Sequence, residues 1–196
     1  MLQIDSLQHP VIRADNLTIA AGERVALAGS SGTGKSVFLQ CLADLIPSQL
    51  TVSLDGVAHT DVKGHQWRQW LMYMPAEPAW WTKRVADHFP EQLRVPFSQL
   101  GLQEDLLERD PLRLSSGQRQ RLALLRVLAR EPRIMLLDEP TANLDEDNAQ
   151  RVEAAIEKWC DKGGTVLFTS HDPRQRKRLG QRLWQIDDGA VQEHEW

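Results

Sequence analysis

Short apolar runs alternate along the chain with longer stretches of helical spacing, the pattern of an α/β protein whose sheet is covered by helices. Residues 17–20 and 24–28 read as strands separated by the turn-like Ala21-Gly22-Glu23. Val37, Leu39, Cys41, Leu42 and Leu45 supply the apolar side of a helix over 36–45, which Pro47 ends. Further strands are expected at 51–54, turned by Asp55-Gly56, and at 71–74, stopped by Pro75. Leu122, Leu125 and Leu128 mark a helix over 118–130 that closes before Pro132. Residues 134–137 are wholly apolar and predict a central parallel strand buried on both faces. An amphipathic helix over 148–161 ends at Gly163-Gly164, and a second central strand follows at 165–169. A basic stretch over 174–182, either a solvated helix or a segment that lies near anionic lipid headgroups, leads to a last strand at 183–186.

The segment from Glu77 to Pro111 breaks this rhythm. It is rich in proline and charge, with helical fragments around 83–89 and 102–108. It predicts an inserted, mainly helical subdomain, and its sparse apolar content predicts a lobe that moves as a unit. The expected organisation is one domain over 1–196, with a core of 1–76 and 112–196. The subdomain, at about 77–111, leads into a helix over 115–130.

Composition narrows the class. Of 196 residues, 41% are hydrophobic and 26% charged, which suits a folded globule. The apolar runs fall far short of the roughly 20 residues that a spanning helix needs. No basic region followed by an apolar run opens the chain, so no secretory signal is expected. Lys plus Arg number 23 against 27 Asp plus Glu, for a net charge of -4, which argues against a surface built for nucleic acid. Cys41 and Cys160 stand in no paired spacing and read as small buried hydrophobes.

Gly29, Ser30, Ser31, Gly32, Thr33, Gly34, Lys35 and Ser36 follow the strand at 24–28 and open the next helix. This is a P-loop in the context that gives it meaning. Its glycines let backbone N–H groups turn inward around a phosphate chain, and the helix adds its unpaired amides. Lys35 is expected to bridge the β- and γ-phosphates, and the Ser36 hydroxyl to bind Mg²⁺. Strand 134–137 delivers Asp138 and Glu139 to its carboxyl end, where ligands bind in open α/β sheets. Asp138 suits the Mg²⁺ shell through water, and Glu139 is placed to polarise an attacking water. His171 ends the neighbouring strand, where it either donates to a γ-phosphate or plays a structural part.

With these motifs in order, nearly the whole chain resembles the ATP-hydrolysing subunit of an ABC transporter. Leu114-Ser115-Ser116-Gly117-Gln118 is similar to the family's signature motif, departing from its commonest form only at Ser116, where glycine is usual. Asp138-Glu139 matches the Walker B run, Ala142-Asn143-Leu144-Asp145 resembles the D-loop, and His171 the switch histidine. The resemblance implies a P-loop NTPase fold of ABC ATPase type, with a mixed sheet core and an inserted helical subdomain. It also implies ATP and Mg²⁺, with catalytic roles for Lys35, Glu139 and His171. Two such domains would close head to tail, so that Ser115, Ser116, Gly117, Gln118 and Asp145 help to hold the partner's nucleotide. The other partner would be a transmembrane permease subunit on which the helical lobe docks. The expected place is the inner face of a bacterial cell membrane, bound peripherally from the cytoplasm, with no stable nucleic-acid partner. Among such engines the chain is similar to small metal-export ATPases, and lipid, lipoprotein or haem exporters are of comparable size.

Two departures carry consequences. The glutamine that usually follows the strand into the lobe is replaced by Ala76, so that Glu77 substitutes, water fills the gap, or coupling is weak. Between Leu7 and Leu17 the only ring is His9, which therefore takes the position of the usual adenine-stacking aromatic and predicts loose base recognition. Trp80-Trp81 opens the lobe, where an aromatic pair either anchors a protein contact or packs against the core. Two other readings remain at this stage: a soluble ABC-type ATPase acting on nucleic acid or ribosomes, and a nucleotide-dependent assembly module with little turnover. The first usually carries a long coiled coil or tandem domains, and neither is visible; the second is motivated by Ala76.

Overall fold

The wholly apolar runs become the buried centre of a sheet because they present no polar face to solvent. Strands β7 (Ile134–Leu137) and β8 (Thr165–Thr169) are buried at every residue and pair in parallel. Beside them lie β3 (Arg24–Ala28), which also pairs in parallel with β9 (Arg182–Asp187), and the edge strand β6 (Leu71–Met74). A computed structural model describes residues 1–90 and 96–196 and shows these strands as half of one mixed ten-stranded sheet.

The other half is largely antiparallel. It holds β1 (Leu2–Gln8), β2 (Arg13–Ile19), β4 (Gln49–Leu54), the two-residue β5 (Val57–Ala58) and β10 (Ala190–His194). The order is β5-β4-β1-β2-β10-β9-β3-β8-β7-β6. Sequence patterning missed β1, β5 and β10, and placed only the end of β2. These strands mix polar residues with apolar ones and bury only part of their length, as Leu2, Ile4 and Leu7 alternate with exposed neighbours in β1. Also unforeseen was α2 (Gly64–Trp70), whose one buried residue, Trp67, donates from Nε1 to the Leu42 carbonyl at 2.9 Å.

Helix α1 (Lys35–Leu42) packs its buried Phe38, Leu39 and Leu42 into an apolar cluster with β1, β2 and β4. Helices α3 (Ser116–Leu128) and α4 (Glu146–Cys160) share a second cluster with β7 and β8. Helix α5 (Pro173–Leu179) carries the basic stretch and is held to α4 by Glu153, which accepts from Arg178 at 2.6 and 2.7 Å and from Gln175 at 2.9 Å. Both cysteines are free and buried, as expected, and burial pushes the Cys160 thiol up to about 12.

The inserted segment is helical in short 3-10 turns: Val85–His88, Phe97–Leu100, Glu104–Glu108 and Pro111–Arg113. Its expected looseness needs correction. Val85, Phe97, Leu100, Leu102 and Leu106 are buried in the same cluster as α3 and α4, so the described part of the lobe is fastened along its length.

Candidate nucleotide site

The P-loop turns back on itself between β3 and α1 because its glycines hold backbone angles that other residues resist. Gly34 has φ 100°, and a Cβ there would come within 3.1 Å of Val11 Cγ1. A Cβ on Gly29 would clash with Thr33 Oγ1 at 2.6 Å, whereas Gly32 faces open space. Buried Lys35 runs back along the loop, its Nζ donating to the Gly29 and Ser30 carbonyls at 2.8 and 3.0 Å.

The carboxyl ends of three parallel strands meet this loop. Asp138, just past β7, is 4% exposed and accepts from Thr169 Oγ1 at 2.7 Å and from the Tyr73 hydroxyl at 3.1 Å. Burial, above all, pushes the Tyr73 phenol up to about 12, so it stays a donor at neutral pH. Glu139 takes a left-handed backbone, φ 49°. Its N–H donates to Thr169 Oγ1 at 2.9 Å and its carbonyl accepts from Gln120 Nε2 at 3.1 Å, so α3 and β8 both brace that backbone. Glu139 Oε2 accepts from the His171 N–H at 3.2 Å. Oε1 lies 3.4 Å from His171 Nε2 but makes no hydrogen bond, a buried acceptor without a donor. Such a group is costly unless something binds it.

These groups border one cleft of about 350 Å³, lined by Ser31, Gly32, Gly34, Lys35 and Ser36, by Asp138, Glu139 and His171, and by Val11, Val37 and Ala76. The sequence-predicted loop, carboxylates and histidine therefore come together. His9 does not line the cleft; its Nδ1 accepts from the Val11 N–H at 3.2 Å, and Val11 takes the bordering position. Glu77 is exposed and does not line the cleft.

The signature residues form a separate unit. Ser115 caps α3 in a reciprocal box: its Oγ accepts from the Gln118 N–H at 3.1 Å while Gln118 Oε1 accepts from the Ser115 N–H at 3.0 Å. A Cβ on Gly117 would lie 3.1 Å from Leu144, so this turn packs on the D-loop. Asp145 caps α4 through Asn148, whose backbone N–H and side-chain amide hold the carboxyl below the usual aspartate range. Arg121, buried in α3, donates to Asn148 and to the Leu100 and Gly101 carbonyls at 2.6, 2.8 and 3.1 Å, tying the D-loop side to the lobe. Neither Ser115, Ser116, Gly117, Gln118 nor Asp145 lines the P-loop cleft.

The donor set fits Mg²⁺ with a nucleotide. Among the described residues no group of three or more His, Cys, Asp or Glu gathers for a metal. The Asp138 carboxylate and the Ser36 hydroxyl both line the cleft beside the glycine loop. Mg²⁺ keeps several waters and takes phosphate oxygens, so it needs few protein ligands.

The family model described as ABC transporter matches residues 12–142, which contain the P-loop, the signature turn and Asp138-Glu139. The chain belongs to the ABC transporter family. It is an ATP-binding subunit of that family, whose membership implies ATP hydrolysis coupled to transport. It is 35% identical to the aliphatic sulfonates import ATP-binding protein SsuB of Pseudomonas putida, over 94% of this chain and 70% of that protein. The arginine transport ATP-binding protein ArtM of Bacillus subtilis is 30% identical over 98% of this chain and 90% of its own length. The fold matches a dimeric post-hydrolysis ATP-binding cassette bound to ADP and Pi, with a TM-score of 0.83 at 23% identity, covering 100% of this chain and 98% of the other. No described helix is long and apolar enough to cross a membrane. Sequence reasoning missed Tyr73, Gln120 and Val11; their roles arise from contacts between distant elements, with no local motif.

Proposed function

We propose that two copies of this chain close head to tail on ATP and that hydrolysis reopens them, moving a permease subunit that carries a small substrate. The observation that carries this reading is the separation of the two half-sites. Lys35, Asp138, Glu139 and His171 border one cleft, while the capped turn at Ser115–Gly117 stands outside it. A second copy, turned head to tail, brings that turn to the phosphates.

In the cleft the Gly29–Ser36 loop receives the phosphate chain, and Lys35 leaves its two carbonyl acceptors for the β- and γ-oxygens. Ser36 and Asp138 hold Mg²⁺, which when bound offsets the negative charge of those oxygens. Glu139 polarises the attacking water with its unpartnered Oε1, and His171 contacts the γ-phosphate. From the other copy, Ser115, Ser116, Gly117, Gln118 and Asp145 complete the site. The dimeric ADP-bound cassette with the same fold supports this pairing.

The base is held loosely, because Val11 and His9 offer no large ring; GTP is expected to compete with ATP within about tenfold, about 1.4 kcal/mol. On the lobe, Trp81 is 71% exposed, and both it and Trp80 flank the Arg126 guanidinium at 5.2 and 4.7 Å. This exposed edge is the permease-docking position, on the cytoplasmic face of the membrane. Small-substrate traffic is the common ground between metal or other small-substrate export, which the sequence suggests, and the sulfonate and arginine transport of the relatives' names.

The test is the solution mass of Glu139→Gln with ATP and Mg²⁺. A dimer that reverts to monomer when Lys35→Ala is added is the expected result, and a persistent monomer at saturating ATP counts against closure without the permease. Ala76 in the cleft favours one second reading, an assembly module with little turnover. Robust ATPase in the parent chain, lost in Glu139→Gln, excludes it.

A further inference from the structure

Ala76, two residues past the end of β6, borders the nucleotide cleft with a side chain that has no polar atom. Three residues earlier the same strand carries Tyr73, whose hydroxyl donates to Asp138 Oδ2 at 3.1 Å. That hydroxyl in turn accepts from Gln40 Nε2 at 3.3 Å. With its acceptor side occupied by Gln40, its proton is directed at the carboxylate. The opposite oxygen is equally constrained: Thr169 Oγ1 accepts from the Glu139 N–H and donates to Asp138 Oδ1 at 2.7 Å.

Asp138 is thus gripped by one hydroxyl on each oxygen. A carboxylate offers about four lone-pair sites, so two remain for other donors. Gln40 follows Ser36 by four residues on α1, which puts the two side chains on one face of the helix. The chain Gln40–Tyr73–Asp138 therefore joins the elements that bear the two expected Mg²⁺ ligands.

We infer that Tyr73 is a positioning residue for Mg²⁺: its hydroxyl, set by Gln40, fixes Asp138 and gives β6 a polar hold on the metal side of the site that Ala76 does not supply. This rests on the reading of Asp138 as a Mg²⁺ ligand given above. Removing a partner that orients a metal ligand typically weakens the metal by about tenfold or more.

The experiment is equilibrium binding of a fluorescent, non-hydrolysable ATP analogue to the full chain, titrated with Mg²⁺ and repeated in EDTA. The variants are Tyr73→Phe, Gln40→Leu and Asp138→Asn, each checked by thermal melting. Tyr73→Phe is expected to raise the Mg²⁺ concentration for half-maximal effect roughly tenfold, with affinity in EDTA unchanged, and Gln40→Leu to shift it less in the same direction. An unchanged Mg²⁺ midpoint in Tyr73→Phe overturns the inference, as does an equal loss of binding with and without metal, which marks a merely structural hydroxyl. If Asp138→Asn shifts the midpoint and Tyr73→Phe does not, only the role of Tyr73 fails. If Asp138→Asn leaves it unmoved, the Asp138 assignment fails and the inference with it.

Discussion

At the amino ends of β7 and β8 lies a cavity of about 580 Å³, larger than the cleft of about 350 Å³ at the carboxyl ends of the same strands. Its walls include Ile134, Thr165, Leu54, Arg133, Trp159 and Gly164. Two of its polar side chains, Thr165 and Arg133, are engaged within the protein. Thr165 Oγ1 accepts from the Gly22 N–H at 3.1 Å and donates to the Ala20 carbonyl at 3.3 Å, and Arg133 lies over Trp70 and reaches Asp55. In the smaller cleft, Glu139 Oε1 is buried without a donor, beside a lysine and a loop of turned-in amides. Volume therefore does not locate the chemistry. Polar groups converging on one cleft do.

The largest test of this contrast is at the cleft. Glu139→Gln should lower kcat by about a hundredfold or more while ATP still binds, read by steady-state ATPase beside nucleotide titration. At the other end, Trp159→Ala should cost about 2 kcal/mol of stability in denaturant melts, by opening space against Gly164, and leave kcat per folded molecule unchanged. A sharper comparison uses the two threonines that begin and end β8. Thr165→Val should cost about 1 kcal/mol of stability with no change in rate. Thr169→Val should cost a similar amount and lower kcat as well, because its hydroxyl braces both Asp138 and Glu139. Equal kinetics in the two variants would erase the distinction between the ends.

The smallest effect concerns α4, whose amino end is capped beside the signature turn while Trp159, at its other end, borders the large cavity. The Asp145 carboxyl is depressed in the folded chain by the Asn148 backbone and side-chain amides. Its contribution is present at pH above the ordinary aspartate value and is lost as pH falls through the lower folded value. Protection of amides from exchange, taken relative to the intrinsic rate at each pH, should therefore fall on acidification in the first turn of α4 before the last.

Much of the cleft was legible because each of its parts is local. The P-loop occupies consecutive residues, β7 and β8 are buried at every position and so have the bounds that their apolar runs predict, and Pro75 fixes the end of β6. The antiparallel half was less visible. In β1 and β10 the polar positions outnumber or match the apolar ones, and a partner strand, rather than composition, decides the pairing. Val11 was not foreseen beside the cleft, because the tight turn after His9 brings it there and a turn's direction is not written in residue type. The grip of Tyr73 on Asp138 and of Gln120 on Glu139 spans elements distant in the chain, where no spacing rule applies.

The neighbours of β3 have a consequence for biosynthesis. The strand that launches the P-loop is flanked by β8 and β9, both made of residues from 165 onward. While the ribosome is still extending the chain toward residue 165, the lysine loop has been translated but hangs from a strand with no flanking partners. Nucleotide therefore meets a native cradle only after β9 has been made and β3 is flanked on both sides.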